Sequence, residues 1–127
     1  MFCGVGGSAP GQEESGSVAS ISVADLKALL DSGAEDILLL DVRNPPEAQI
    51  AVIAGAVLVP LDSIEDGTAI GRVQEISRGK RLYVHCKLGG RSAKALIALA
   101  RHGIEGTNIS GGIDAWSQEI DPSVQRY

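Results

Sequence analysis

Cys86 and Arg91 are separated by Lys87, Leu88, Gly89 and Gly90 in the stretch VHCKLGGRSAKAL. An apolar run delivers the thiol, two glycines follow, and a helical pattern begins at the arginine. Glycines allow successive backbone N–H groups to converge on one point, which makes an anion-binding nest. A helix starting near Arg91 adds the positive end of its dipole. Lys87 and Arg91 add full charges. Each of these favours thiolate over thiol, so a depressed Cys86 pKa and a nucleophilic sulfur are expected. An inert buried cysteine would explain the thiol alone, and a tight strand-to-helix connection would explain the glycines alone. Neither explains the cysteine and arginine that bracket them.

A thiolate in such a loop can attack phosphorus, with the loop binding phosphate, or sulfane sulfur, with the loop holding a persulfide. A phosphoryl group presents three oxygens to the loop and a persulfide only one terminal sulfur. One residue changes the loop contour by about 3.5 Å. Phosphatases of the cysteine class carry five intervening residues. The shorter loop here favours sulfur.

The elements that must position this turn alternate between strand and helix. Ser22 is placed to cap a helix over VADLKALLDSG, stopped by Gly33. DILLLDV is a continuous apolar run, as expected of a central parallel strand buried on both faces. Asn44, Pro45, Pro46 and Glu47 carry the N-cap, first-turn prolines and N3 glutamate of a short helix. GAVLVPL reads as a strand stopped by Pro60, TAIGRVQEI as a helix, and RLYVHC as a strand. RSAKALIALARHG is a helix ending at Gly103. GTNIS is a short strand and GGIDAWSQEI a final helix, followed by an irregular tail from Asp121. This order implies an α/β fold with a central parallel sheet of about five strands and helices on both faces. Ligands of such sheets sit at the carboxyl ends of the strands, where DVR (41–43) and HCKLGGR (85–91) both fall.

Composition narrows the function. The chain has 127 residues, enough for one domain. Residues 1–17 are rich in Gly and Ser and read as a flexible linker or tail, with the domain over 18–127. A linker in that place suggests a domain taken from a longer protein. A net charge of −5 argues against a general nucleic-acid binder. No apolar run reaches the ~20 residues of a membrane span, and no basic leader with an apolar core is visible, so a cytoplasmic location is the default. Two cysteines, Cys3 and Cys86, are too few for a disulfide framework. No His/Cys cluster has zinc spacing.

HCKLGGRS, together with LLLDVRNPPEAQIAVIAGAVLVP upstream and ISGGIDAW downstream, resembles the rhodanese-like family over about residues 20–120. CKLGGRSAKAL and the tail DPSVQRY are similar in particular to the C-terminal rhodanese domain of adenylyltransferase/sulfurtransferase proteins. The resemblance implies a sulfurtransferase with Cys86 as nucleophile and persulfide carrier. Backbone N–H groups from Lys87 through Leu88, Gly89 and Gly90 to Arg91 would hold the outer sulfur, with Ser92 completing the loop. Arg91 would close the loop and supply charge. The implied donor is thiosulfate or a cysteine desulfurase persulfide. The implied acceptor is the C-terminus of a ubiquitin-like sulfur carrier, activated by an N-terminal adenylyltransferase domain. No cofactor or metal is implied for this domain. A non-catalytic docking module and a phosphatase or arsenate reductase are the competing readings, opposed respectively by the intact Cys86 and by the short loop.

The chain departs from the family pattern at Ala48, where an aromatic is common, at Ala54, where a proline is common, and at Ala51-Val52, where Gly-His is common. These changes bear on substrate shape more than on chemistry. Asp41 and Arg43 are supporting residues at a strand end. Arg43 can either reach the anion site or pair with Glu47 four residues on. Strand alternation turns His85 away from Cys86. Trp116 is expected in the core.

Overall fold

The computed structural model describes residues 18–127, so the linker expected over 1–17, and Cys3 with it, lie outside the described residues. Eleven elements follow one another. These are β1 (Ser20–Ile21), α1 (Val23–Asp31), β2 (Ile37–Asp41), α2 (Pro45–Ile50), β3 (Val57–Leu58), α3 (Leu61–Glu65), α4 (Ile70–Ser77), β4 (Arg81–His85), α5 (Gly90–Ala100), β5 (Thr107–Ile109) and α6 (Gly112–Glu119). The five strands form one parallel sheet in the order β1-β5-β4-β2-β3.

The first two helix starts have a local cause. Ser22 Oγ accepts the Asp25 N–H at 3.1 Å and begins α1. Glu47 Oε1 accepts the Asn44 N–H at 3.2 Å and begins α2, with Pro45 and Pro46 in the first turn, where no N–H is missed. The cap reading of both segments therefore holds. The segment after Pro60 differs from expectation. Ser63 Oγ donates to the Pro60 carbonyl and the chain forms α3, which its apolar pattern alone did not announce.

The apolar run of β2 is buried on both faces, as its continuity requires. Leu38, Leu40 and Val42 pack with Leu82 and Val84 of β4 against Ile64, Val73, Leu96 and Leu99 of α3, α4 and α5. Leu39 and Tyr83 face the other way, toward Val23 and Leu26 of α1 and Ile113 and Trp116 of α6. Trp116 is therefore a core residue. Two apolar layers thus clamp the sheet, and the central pair β2 and β4 runs in register from Ile37 with Arg81 to Asp41 with His85. That register brings the chain ends leaving β2 and β4 side by side. No helix among the described residues is long and apolar enough to cross a membrane.

Candidate active site: the Cys86 loop

β4 ends at His85, and the chain turns through Cys86–Gly89 directly into α5. Gly89 has φ 121°, in the region that side-chain-bearing residues avoid. That conformation aims its N–H back at Cys86 Sγ, 3.0 Å away. Ser92, in the first turn of α5, places its hydroxyl 3.4 Å from the same sulfur. The Ser92 hydroxyl also reaches Asn108 Oδ1 and the Gly89 carbonyl, and Asn108 Nδ2 donates to that carbonyl at 3.3 Å. β5 therefore braces the loop through Asn108.

Cys86 is only 1% exposed. Burial alone pushes its thiol up. The Ser92 hydroxyl and the backbone N–H groups of Ser92, Gly89 and Leu88 outweigh burial and hold the thiol below its ordinary range. The sequence expected this direction, but the leading favourable cause is hydrogen bonding to the sulfur.

The other side of the loop is held by α6. Ile113 N–H donates to the Cys86 carbonyl at 2.9 Å and Asp114 N–H to the Lys87 carbonyl at 3.1 Å. These are first-turn donors that a helix leaves unpaired, satisfied here by the loop. Gly112 makes the approach possible, because a Cβ there would collide with the Cys86 and Lys87 carbonyls. His85 is fully buried and its Nδ1 lies 3.1 Å from the Cys86 carbonyl. A carbonyl only accepts, so Nδ1 carries the proton. Burial lowers the ring pKa despite Asp41, whose Oδ2 stands 3.9 Å from an otherwise unpartnered Nε2. Burial favours the neutral ring and, as strand alternation demands, its side chain lies on the Asp41 side of the sheet and not beside Sγ.

The charged residues arrange themselves differently from expectation. Arg43 neither enters the sulfur site nor pairs with the Glu47 carboxylate. It is fully buried and forks onto Asp41, Nε to Oδ1 at 2.9 Å and Nη2 to Oδ2 at 2.7 Å. Its remaining donors reach the Ala51 carbonyl at 2.8 Å and the Tyr127 hydroxyl at 2.9 Å. Two acceptors two residues upstream outcompete Glu47, which Arg43 meets only at its backbone carbonyl. Arg91 closes a wall of the site through Glu47, Nη1 to Oε1 at 2.7 Å and Nη2 to Oε2 at 2.9 Å. Tyr127 Oη donates to Glu47 Oε2 at 2.8 Å. The Lys87 ammonium sits 4.6 Å from the centre of the Tyr127 ring. Leu88, at the loop tip, is 63% exposed.

Cys86, Leu88, Gly89 and Ser92 thus converge on the sulfur, while Gly90 opens α5 and the side chains of Lys87 and Arg91 turn to neighbours. Asp41 and Arg43 brace the adjoining strand end. Sequence reasoning missed the roles of Glu47, Asn108, Gly112 and Tyr127. Glu47 was visible as a helix cap and as a candidate partner of Arg43, not of Arg91, and the others carry no local signal.

Likeness to known proteins bears on this arrangement. The rhodanese-like domain family matches residues 22–119. A 16.5 kDa protein from the psaL 5′ region of Synechococcus elongatus is 52% identical over 73 residues, 58% of this chain and 49% of that protein. The probable adenylyltransferase/sulfurtransferase MoeZ of Mycobacterium tuberculosis is 35% identical over 128 residues, covering 100% of this chain and 31% of that protein. The chain thus spans about half or less of the length of these relatives. The crystal structure of a rhodanese-like domain protein from Staphylococcus aureus shares the fold with a TM-score of 0.68 and 31% identity, over 81% of this chain and 95% of that one. With its parallel sheet, its cysteine loop and this likeness, the chain belongs to the rhodanese-like family.

Proposed function

We propose that this domain is a sulfurtransferase in which Cys86 carries sulfane sulfur. The observation that carries the reading is a buried sulfur whose thiol is nonetheless held low by donors of its own loop. Such a site favours the thiolate, the form that attacks without a general base. The Cys86 thiolate attacks the outer sulfur of a donor, a new S–S bond forms, and the donor's old bond to that sulfur breaks with its electron pair. With thiosulfate the products are Cys86 persulfide and sulfite. With a cysteine persulfide, such as that of a cysteine desulfurase, they are Cys86 persulfide and the donor thiol.

The acceptor we propose is the acyl-adenylated C-terminus of a ubiquitin-like sulfur carrier. The outer sulfur attacks the acyl carbon and adenylate leaves with the C–O electron pair, giving an acyl disulfide on Cys86. One cellular thiol attacks the Cys86 sulfur and releases the thiocarboxylate. A second thiol restores Cys86, so the two thiols supply two electrons and leave as a disulfide. Likeness to MoeZ supports this acceptor and an adenylyltransferase domain working with this one. The carriers we propose are of the kind used in molybdenum cofactor synthesis.

Incubation with thiosulfate and cyanide is expected to yield thiocyanate, and incubation with thiosulfate alone a mass gain of one sulfur atom on Cys86. Cys86→Ser is expected to abolish both. Thiocyanate turnover that survives Cys86→Ser would overturn the assignment. Thiocarboxylate formation on candidate carriers, in the presence of an adenylyltransferase, tests the acceptor.

A further inference from the structure

Three cationic side chains stand at this edge of the sheet, and each is already engaged. Arg43 is forked onto Asp41. Arg91 is forked onto Glu47. Lys87 lies over the Tyr127 ring. Glu47 is itself fixed from three sides, by Arg91, by the Tyr127 hydroxyl and by the Asn44 N–H. It is a built partner for Arg91 and not a passing surface contact. What faces Cys86 Sγ directly is uncharged: the Gly89 N–H and the Ser92 hydroxyl, with the backbone N–H groups of Leu88 and Ser92. These donors suit one sulfur bearing one negative charge. None of them carries a full charge to set against a sulfonate group as well. The outermost side chain of the loop is the exposed, apolar Leu88.

Resting on the sulfurtransferase reading above, we infer that Glu47 is a specificity-determining residue: by matching the Arg91 charge it turns the site away from dianionic inorganic donors and toward organic persulfides. Thiosulfate brings two negative charges and must expel sulfite as a dianion beside a neutralised guanidinium. An organic persulfide on a peptide or protein expels a thiol or thiolate and needs no second cation. Its carbon chain can rest against Leu88. Both reactions form the same bond on Cys86; they differ in the charge of the group that leaves.

The test compares thiosulfate with methanethiosulfonate, in which one sulfonate oxygen is replaced by methyl and one charge is lost. The Cys86 thiolate takes the outer sulfur from either, leaving sulfite or methanesulfinate, and cyanide then removes it as thiocyanate. Glu47→Gln keeps the hydrogen-bonding shape and frees the Arg91 charge. It is expected to raise the thiosulfate-to-methanethiosulfonate ratio of kcat/KM by about fivefold, through KM, the size appropriate to a solvent-screened charge. Glu47→Asp should leave that ratio near the wild-type value, and the double change Glu47→Gln with Arg91→Gln should return it there. A merely structural role for Glu47 would depress both donors alike.

The wild-type protein offers a second reading that needs no variant. Its KM for thiosulfate should rise with ionic strength no more steeply than its KM for methanethiosulfonate, whereas an unmasked Arg91 makes the dianion the more salt-sensitive. An unchanged ratio in Glu47→Gln, or a steep wild-type salt dependence for thiosulfate alone, overturns the inference and leaves the sulfurtransferase reading standing. Absence of any Cys86 persulfide from either donor in the wild type would instead remove that reading, and this inference with it.

Discussion

At the scale of single residues, Cys86 shows how hydrogen bonds can reverse the effect of burial. The Ser92 hydroxyl has one proton and three acceptors around it, so its bond to sulfur competes with its bond to Asn108. Ser92→Ala is expected to raise the thiol midpoint, because a hydrogen bond to the charged form is lost. Thiolate ultraviolet absorbance followed against pH would measure it. Glu47 titrates in the opposite region. Its carboxyl is held at about 2 against an ordinary 4.5, chiefly by Arg91, with Tyr127 and the Asn44 N–H adding to it and burial opposing. The fold therefore favours the charged form. The stabilisation is complete above pH 4.5 and fades as pH falls through about 2. The pair is partly exposed, so its size is on the order of 1 kcal/mol. Urea unfolding of wild type and Glu47→Gln should show a gap at neutral pH that closes in that acid window.

At the scale of elements, the strongest local signals were those with a physical cause inside a few residues. ILLLD could be read as a central strand because both faces are apolar, and it pairs with β3 on one side and β4 on the other. Leu40 lies wholly buried there, so Leu40→Ala should cost about 3 kcal/mol. A lower urea midpoint with an unchanged slope would register it. Ser22 and Asn44 announced two helix starts through side chains that reach only three residues. β3 is a shorter strand than GAVLVPL suggested, because Pro60 ends it and only Val57 and Leu58 pair with β2. α3 was illegible because five residues are too few to establish a period. The cysteine loop was legible since strand end, glycines and helix start are contiguous. Its wall was not: Glu47 meets Arg91 from 44 residues away in the chain, and Tyr127 meets Glu47 from 80. No local pattern encodes such a meeting, which exists only once β2 and β4 lie in register.

At the scale of the whole molecule, Asp41, Arg43, Tyr127, Glu47 and Arg91 form one chain of contacts from the end of β2, through the C-terminal tail, to the start of α5. The tail from Asp121 is irregular, as its sequence implied. It is nonetheless tied down, by the Ser117 hydroxyl donating to the Val124 carbonyl and by Tyr127. Tyr127→Phe removes a single hydroxyl shared by Arg43 and Glu47, and should cost about 1 kcal/mol in thermal or urea unfolding. Its thiosulfate-to-methanethiosulfonate ratio should stay near the wild-type value, because the Glu47 charge and the Arg91 fork both remain.

Gly112 contributes no functional group at all, yet the Cys86 and Lys87 carbonyls rest against it where a methyl would stand. Within this family, a relative can therefore keep its cysteine, its loop glycines and its arginine and still be catalytically silent if the glycine at this helix start is replaced. Sorting working sulfurtransferases from pseudoenzymes by the cysteine alone would misfile such a protein. The vacancy beneath the loop has to be inspected along with the sulfur above it.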